Sequence, residues 1–334
     1  MEKKENILYG DIRELLDDIL SQTPCDRLFI LADDTTAQLC LPKALQAQQL
    51  QRSIPIYIGA GDEHKTLDSL SHVWQKLSDE GASRHSLLVN IGGGMVTDLG
   101  GMAASTFKRG IAYINVPTTL LAMVDASVGG KTGINFNGLK NEVGVFSSPR
   151  CVIIDTGFLR TLNTHNFYSG YAEMLKHGLI SDTRHWADLL SFDTDQPDYA
   201  LLSSLIRRSV EVKENIVRQD PHEQGLRKAL NFGHTVGHAF ESLSLQTGHP
   251  VLHGYAVAWG MVCELYLSYQ AAGFPKDKMW QTLQFIKEHY GSLHFDCTQY
   301  NRLYELMTHD KKNTEGNVNF TLLSDIGDIQ LNRT

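Results

Sequence analysis

The stretch SLLVNIGGGMVTDLGG, residues 86–101, decides the fold of the first half of the chain. Its apolar run 86–91 predicts a buried strand, and the residues after the glycines predict a helix. Gly92, Gly93 and Gly94 lack a Cβ, so the backbone there can approach a diphosphate closely, and the helix would present N–H groups to the anion. Asp98 can cap that helix or bind a ribose hydroxyl. The spacing departs from G-x-G-x-x-G, so a plain strand-to-helix turn stays open as an interpretation.

The pattern around this stretch predicts two domains. Four further apolar runs predict strands, at 28–31, 54–58, 113–116 and 151–155. Their alternation with helical pattern is typical of an α/β domain with a mostly parallel sheet. Beyond residue 155 the pattern predicts one late strand, 318–323, and helices at 166–180, 201–217, 225–243, 253–272 and 276–289. We therefore predict an α/β domain at 1–155 and a predominantly α-helical domain at 156–334.

Charge and composition exclude several classes of protein. The net charge of -8 and the pI near 5.9 argue against a nucleic-acid partner, since no basic surplus exists to neutralise phosphates. The first residues lack the apolar core of a signal peptide, and no run of about 18 apolar residues suggests a membrane span. The five cysteines are scattered and lack CxxC spacing, which favours reduced thiols. We expect a cytoplasmic enzyme without a membrane or nucleic-acid partner.

A second glycine cluster, DASVGGKT at 125–132, resembles part of a Walker A motif. The cluster lacks the leading glycine of that motif at the required spacing, so we reject a nucleotide hydrolase. Lys131 still suits a contact with a phosphate or carboxylate. Lys140 and Asn141 repeat the theme in what the sequence predicts to be a polar loop.

Histidines and a glutamate at metal-ligand spacing occur in three predicted helices. His234 and His238 are four residues apart on one helix face, and His253 opens the next helix. Glu173 lies four residues before His177 on an earlier helix. Nitrogen and carboxylate ligands from separate helices suit a catalytic zinc with an open coordination position. Both pairs have ligand spacing and only three protein ligands are wanted, so the ligand set stays open at this point.

Glycines surround these positions and single basic residues flank them. Within helices, Gly233, Gly237 and Gly254 would each cost about 1 kcal/mol, which suggests close packing or a binding site. Scattered Lys and Arg side chains of an acidic chain are mostly solvated surface. Arg227 stands out because the pattern places it on the same predicted helix as His234.

Six segments, read in order, resemble the 3-dehydroquinate synthase family. They cover about half the chain, and together they are highly specific. The segments are GGGMVTDLGGMAASTFKRG (92–110), VPTTLLAMVDASVGGKTGIN (116–135), LKNEVGVF (139–146), GYAEMLKHGLI (170–180), EQGLRKALNFGHTVGHAFE (223–241) and LHGYAVAWGM (252–261).

The resemblance implies roles that spacing leaves open. The metal ligands would be Glu173, His234 and His253, binding Zn2+ or Co2+, while His177 would be structural. NAD+ would contact Asp33, Asp62, Lys65, Gly93, Gly94, Asp98, Thr118, Thr119, Lys131, Lys140, Phe158 and Thr161. The substrate would contact Arg109, Asp125, Lys131, Asn141, Lys176, Lys213, Arg227, Asn231, His238, and Lys311 or Lys312. The implied architecture is a Rossmann-like N-terminal domain and a helical C-terminal domain in a homodimer.

The implied reaction converts 3-deoxy-D-arabino-heptulosonate 7-phosphate, a sugar phosphate of the shikimate pathway, into 3-dehydroquinate and phosphate. It combines transient oxidation by NAD+, β-elimination of phosphate, reduction and an intramolecular aldol closure. Tyr255 stands where the family commonly has Glu, so hydrogen bonding around the metal ligands could differ here. Asp62 stands where the family's NAD+ contact is usually Glu. The alternatives are another sugar phosphate cyclase, such as 2-deoxy-scyllo-inosose synthase, and a metal-dependent polyol dehydrogenase.

Overall fold

The computed structural model describes residues 6–308 and 318–334, which form two compact units, Met1–Asn163 and Thr164–Thr334. We call them the N-terminal and the C-terminal unit. The N-terminal unit contains eight strands and five α-helices among its described residues. In chain order these are β1 (Ile7–Tyr9), α1 (Ile12–Ser21), β2 (Leu28–Asp33), α2 (Asp34–Leu39), α3 (Leu41–Ala44), β3 (Ile54–Ile58), α4 (Leu67–Asp79), β4 (Leu87–Gly92), α5 (Gly94–Thr106), β5 (Ala112–Pro117), β6 (Lys131–Phe136), β7 (Leu139–Phe146) and β8 (Cys151–Ile154).

Six strands form one parallel sheet in the order β1-β8-β5-β4-β2-β3. All residues of β2 and β4 are buried, because side chains on both faces of the sheet lie against other elements. On one face, Phe29, Leu31 and Leu88 pack into a core with Leu99 of α5. The predicted α/β class with a mostly parallel sheet is confirmed, and β4 and α5 come from the glycine-rich stretch.

The hairpin of β6 and β7 corrects one prediction. Lys140 and Asn141 do not lie in a loop: they belong to β7, which pairs antiparallel with β6. The turn between the strands is Asn137-Gly138, with φ of 49° and 76°. An Asn-Gly pair adopts positive φ at both positions readily, and that geometry closes a two-residue hairpin. The sequence therefore carried the hairpin signal that the loop interpretation missed.

The C-terminal unit consists of helices and one short hairpin in its described residues. The elements are α6 (Thr164–Ser181), α7 (Thr183–Ser191), α8 (Tyr199–Gln219), a 3-10 helix (Leu226–Asn231), α9 (His234–Gln246), α10 (His253–Ala272), α11 (Lys276–Tyr290), α12 (Tyr300–Thr308), β9 (Phe320–Asp325) and β10 (Asp328–Arg333). Helix α6 is central: fourteen consecutive residues, from Phe167 to Ile180, are buried. The predominantly helical character that we predicted is confirmed.

A single helix over 225–243 was a wrong prediction. The chain forms a 3-10 helix, then turns at Gly233, whose φ of 78° is left-handed, before α9 begins at His234. Glycine adopts this conformation without steric cost, so the helical backbone can break there although the sequence pattern continues. Arg227 therefore lies on the 3-10 helix and not on the helix of His234.

His185 on α7 makes stability depend on pH. It is fully buried, and its Nε2 lies 2.9 Å from the Ser209 hydroxyl of α8. Burial, aided by the charge of Arg208, lowers the pKa of His185 to about 4. Between pH 6.5 and 4 the unfolded chain then binds a proton that the folded chain does not, so the free energy of unfolding decreases as the pH decreases. We expect a loss of about 2 kcal/mol from this group between pH 7 and pH 5.

Urea unfolding of the wild type and of His185→Gln at these two pH values measures this contribution. Other titrating groups are common to both proteins, so the difference between their pH slopes isolates His185. Equal slopes would contradict the assignment.

Candidate active site

A buried carboxylate on α6 forms the centre of the site in the C-terminal unit. Glu173 is fully buried and its Oε2 accepts a short hydrogen bond from the Lys176 ammonium, one turn further along the helix. Its Oε1 lies 3.4 Å from His234 Nε2 and 3.5 Å from His253 Nε2. The structure thus brings together one carboxylate oxygen and two imidazole nitrogens from three helices.

Glycines let these three helices approach one another. A Cβ on Gly254 would lie 1.9 Å from the carbonyl oxygen of Ser169, so α10 meets α6 at backbone contact directly after His253. A Cβ on Gly260 would lie 2.0 Å from the carbonyl oxygen of Gly233, where α9 meets α10. The close packing predicted from the glycines is observed, and it sets the separation of the two histidines.

The second nitrogen of each imidazole ring has its own partner. His234 Nδ1 lies 3.1 Å from the Phe232 carbonyl oxygen, and His253 Nδ1 lies 3.3 Å from Glu241 Oε2. Such contacts fix the tautomer and ring orientation of metal-binding histidines and direct Nε2 to the ion. We did not predict Glu241, although its position seven residues after His234 places it on the same face of α9.

The charges of the three groups are set by burial and by each other. Burial opposes ionisation of Glu173, but the Lys176 ammonium and His234 hold the pKa of that carboxyl well below its usual range. Burial, with the charge of Lys176, lowers the pKa of His234 to about 3. For His253, burial is outweighed by the carboxylates of Glu173 and Glu241, which raise its pKa to about 10. The site therefore pairs anionic Glu173 with a neutral imidazole and with a position that favours positive charge.

This donor set fits a divalent metal ion. The candidate ligand atoms of Glu173, His234 and His253 all lie within 4.8 Å of one another. Atoms bonded to one tetrahedral zinc at about 2.0–2.2 Å are about 3.4 Å apart. Glu173 Oε1 is buried and accepts no hydrogen bond from the residues that the structure describes. An ion between the three groups would satisfy that oxygen.

The other predicted residues of this unit surround the cluster to different extents. The His238 ring centroid lies 5.3 Å from that of His234 and 6.0 Å from that of His253. Arg227 is buried and its Nη1 donates to the Pro221 carbonyl oxygen at 2.6 Å. Lys213 is buried on α8. The described contacts do not bring Arg227 or Lys213 against the three candidate ligands.

Three further predictions on this unit have separate outcomes. His177, which the resemblance makes structural, is fully buried on α6. Asn231 Nδ2 donates to Glu223 Oε1 at 3.0 Å. Lys311 and Lys312 lie outside the described residues.

In the N-terminal unit, the glycine-rich turn joins β4 to α5 as predicted. Gly93 precedes α5 and offers it no side-chain cap. Asp98 does not cap α5, as we considered: it lies inside that helix, where its Oδ2 accepts from Lys65 Nζ at 2.6 Å. Lys65 Nζ also donates to the Asn141 side chain, so β7 brings Asn141 to the same cation.

The remaining predicted residues of the N-terminal unit lie in turns or at strand ends. Lys140 Nζ pairs with Asp62 Oδ2 at 3.2 Å. Asp33, the last residue of β2, caps α2 by accepting from the Thr35 and Thr36 amides. The others lie as follows: Thr118 and Thr119 directly after β5, Arg109 with a left-handed φ of 68° before β5, Asp125 in the π-turn Ala122–Ala126, Lys131 at the start of β6, and Phe158 and Thr161 in the 3-10 helix Thr156–Thr161.

Two family models match residues 55–313, and one relative spans the whole chain. The model of the 3-dehydroquinate synthase N-terminal domain matches residues 55–169, and that of its C-terminal domain matches residues 170–313. A 3-dehydroquinate synthase of Parabacteroides distasonis is 56% identical over 334 residues, which is 100% of this chain and 95% of the relative.

Two similar solved structures are sugar phosphate cyclases. A 2-epi-5-epi-valiolone synthase from Streptomyces hygroscopicus, with NAD+ and Zn2+ bound, has a TM-score of 0.87 at 26% identity and covers 100% of this chain and 94% of its own. A 2-deoxy-scyllo-inosose synthase complexed with carbaglucose-6-phosphate, NAD+ and Co2+ has a TM-score of 0.83 at 25% identity. The match covers 98% of this chain and 91% of that synthase chain.

The fold and these similarities identify a sugar phosphate cyclase. Within that class, the chain belongs to the 3-dehydroquinate synthase family. It is a phosphate-eliminating carbon–oxygen lyase that converts 3-deoxy-D-arabino-heptulosonate 7-phosphate into 3-dehydroquinate and phosphate. The alternatives, an inosose synthase or a polyol dehydrogenase, are not favoured, since the full-length identity to the Parabacteroides relative is more than twice that to the inosose synthase.

Proposed function

We propose that this lyase binds its divalent metal, Zn2+ or Co2+, through Glu173, His234 and His253. The observation that carries the proposal is the convergence of Glu173 Oε1 with both Nε2 atoms at 3.4 and 3.5 Å. When bound, such an ion lowers the pKa of a coordinated hydroxyl and polarises a carbonyl, which serves both the oxidation and the phosphate elimination.

We propose that NAD+ binds at the glycine-rich turn of the N-terminal unit, where it takes up and later returns one hydride. Gly93 and Gly94 place no side chain at the N-terminus of α5, whose N–H groups suit a diphosphate. The contacts would come from Asp33, Asp62, Lys65, Asp98, Thr118, Thr119, Lys131, Lys140, Phe158 and Thr161. Lys65 would hold Asp98 in place for a ribose hydroxyl through their 2.6 Å ion pair.

Substrate phosphate and carboxylate would be bound by cations that the fold buries at unusual cost. Lys176, Lys213 and Arg227 are almost inaccessible to solvent although the chain carries a net charge of -8. Lys176 also pairs with Glu173. Lys and Arg side chains are the residues that bind phosphate and carboxylate groups through charge-assisted hydrogen bonds. Further contacts would come from Arg109, Asp125, Lys131, Asn141, Asn231, His238, and Lys311 or Lys312.

The chain would act as a cytoplasmic homodimer. The hairpin of β6 and β7 exposes apolar side chains, with Leu139 and Phe146 each 56% exposed. Contiguous apolar surface of this kind marks an interaction surface, and a second copy of the chain would cover it. No helix within residues 6–308 and 318–334 is long and apolar enough to cross a membrane. Sedimentation equilibrium would test the dimer: a monomer at micromolar concentration would contradict it.

The assay that tests the proposed cofactors measures phosphate release from the heptulosonate phosphate with substoichiometric NAD+ and added Zn2+ or Co2+. We expect phosphate and dehydroquinate in a one-to-one ratio at far more than one turnover per NAD+. Steady accumulation of NADH with simple polyols would instead indicate a dehydrogenase.

Removal of the Glu241 carboxylate should weaken zinc binding with little change in fold. Glu241→Gln keeps the size of the side chain but removes the charge that orients His253 Nδ1. Loss of such a partner typically lowers metal affinity about 10–100-fold. Competition with a chromophoric chelator measures the zinc Kd, and Glu288→Gln on the exposed side of α11 is the matched control. A Kd for Glu241→Gln equal to that of the control would contradict the role of Glu241.

A further inference from the structure

Helix α9 receives its N-terminal cap from a neighbouring helix. Glu264 of α10 is fully buried, and its Oε2 accepts from the Gly233 amide at 2.6 Å while its Oε1 accepts from the Val236 amide at 3.2 Å. Both amides belong to the first turn of the helix that carries His234. One carboxylate therefore holds the backbone on either side of a proposed metal ligand.

The residue before α9 cannot supply that cap itself. Gly233 occupies the capping position with φ of 78° and has no side chain. A Cβ there would lie 2.5 Å from Met261 Cγ, so the contact with α10 excludes the Ser, Thr, Asn or Asp that usually caps a helix. Without another acceptor, the Gly233 and Val236 amides would be buried without a hydrogen bond, which costs stability. Glu264 removes this cost and also places negative charge at the positive end of the helix dipole.

The same face of α10 carries His253. His253 and Glu264 are eleven residues apart, and eleven residues make slightly more than three turns of an α-helix. One face of α10 thus carries the proposed ligand His253 in its first turn. The same face carries Glu264, which caps the helix of His234, about three turns later. The distance between the imidazoles of His234 and His253 depends on this cap as well as on the glycine contacts.

We propose that Glu264 is a positioning residue of the metal centre, which fixes His234 relative to His253 by capping α9 from α10. The inference rests on the proposed metal site. Glu264 accepts hydrogen bonds from the Gly233 and Val236 amides, so its effect on His234 passes through this backbone. Its loss should therefore change the geometry and affinity of the metal site and not merely the stability of the fold.

The test compares Glu264→Gln with Ser209→Ala in the full chain. The amide of Glu264→Gln keeps the shape but presents N–H where the carboxylate accepts, so one of the two hydrogen bonds is lost. We expect the zinc Kd to rise about 10–100-fold, with a shift of the visible absorption bands of the Co2+-loaded protein. Ser209→Ala removes the buried hydrogen bond to His185, so it should lower Tm while leaving the zinc Kd and the Co2+ spectrum unchanged.

A wild-type zinc Kd and Co2+ spectrum in Glu264→Gln would overturn the proposal, even with a lowered Tm. If Glu264→Gln does not fold, Glu264→Asp decides, since it keeps the charge but shortens the side chain by one methylene. A raised Kd in Glu264→Asp supports the proposal, and an unchanged Kd overturns it. His234→Ala distinguishes the role of Glu264 from the metal site itself. If His234→Ala loses zinc while the Glu264 variants bind it normally, only the role of Glu264 is refuted. If His234→Ala retains zinc, the proposed metal site is refuted.

Discussion

Glu173→Gln should abolish zinc binding and reduce turnover by more than about 100-fold, since loss of a residue that only orients a ligand already costs about 10–100-fold. Glu173 Oε1 is the one anionic donor among the three proposed ligand atoms. The variant should also lose about 3–5 kcal/mol of stability, because the Lys176 ammonium remains buried without its carboxylate. Metal analysis after gel filtration, phosphate release and urea unfolding measure these effects. Glu305→Gln on the exposed side of α12 is the matched control.

A double variant distinguishes metal loss from instability. Glu173→Gln combined with Lys176→Met removes both buried charges, which should restore most of the stability. Zinc binding should stay absent, because the carboxylate is still missing. Recovery of zinc binding together with stability would mean that Glu173 is a structural partner of Lys176 and not a metal ligand.

Gly254→Ala should unfold or severely destabilise the C-terminal unit, although it adds a single methyl group. The added Cβ would lie 1.9 Å from the Ser169 carbonyl oxygen. The backbone of α10 fixes the position of the Cβ and the backbone of α6 fixes that of the oxygen, so neither atom can rotate away. Overpacking usually costs about 1–3 kcal/mol, and a clash with backbone belongs at or above the upper end. Because α10 must shift at its first turn, His253 moves with it and the zinc Kd should rise by at least about tenfold.

Thermal unfolding and chelator competition check both effects. Gln270→Ala introduces alanine at an exposed position of the same helix, where it meets no backbone of α6. The Tm and zinc Kd of this variant should match those of the wild type. A Gly254→Ala protein with wild-type Tm and zinc Kd would show that α6 and α10 are not held together at this point.

The sequence predicts the parts of the fold that depend on local pattern. The apolar runs of β2, β4, β5 and β8 mark a doubly covered parallel sheet, because these strands are buried on both faces except for Ala112. β3 lies at the edge of the sheet and exposes Pro55 and Tyr57. The hairpin at Asn137-Gly138 was also predictable from its turn residues. The break at Gly233 was less predictable, because the residues on both sides keep a helical pattern. Only the structure, with the contact to Met261, shows that the chain turns there.

The metal ligands cannot be identified from residue spacing alone. Glu173 and His177 are as well spaced as His234 and His238, and only the packing of α6 against α9 and α10 separates the pairs. Glu241 could have been predicted from helical spacing, since it lies seven residues after His234 and therefore on the same face of α9. Glu264 had none, since its partners are backbone amides of another helix, and a backbone donor leaves no mark in the sequence.

Anomalous X-ray diffraction at the zinc edge, from crystals of the zinc-loaded protein, tests the metal centre most directly. We expect one dominant peak per chain, at about 2.0–2.2 Å from a Glu173 carboxylate oxygen, His234 Nε2 and His253 Nε2. A stoichiometric zinc peak bound elsewhere, with these three side chains still in mutual contact, would contradict it.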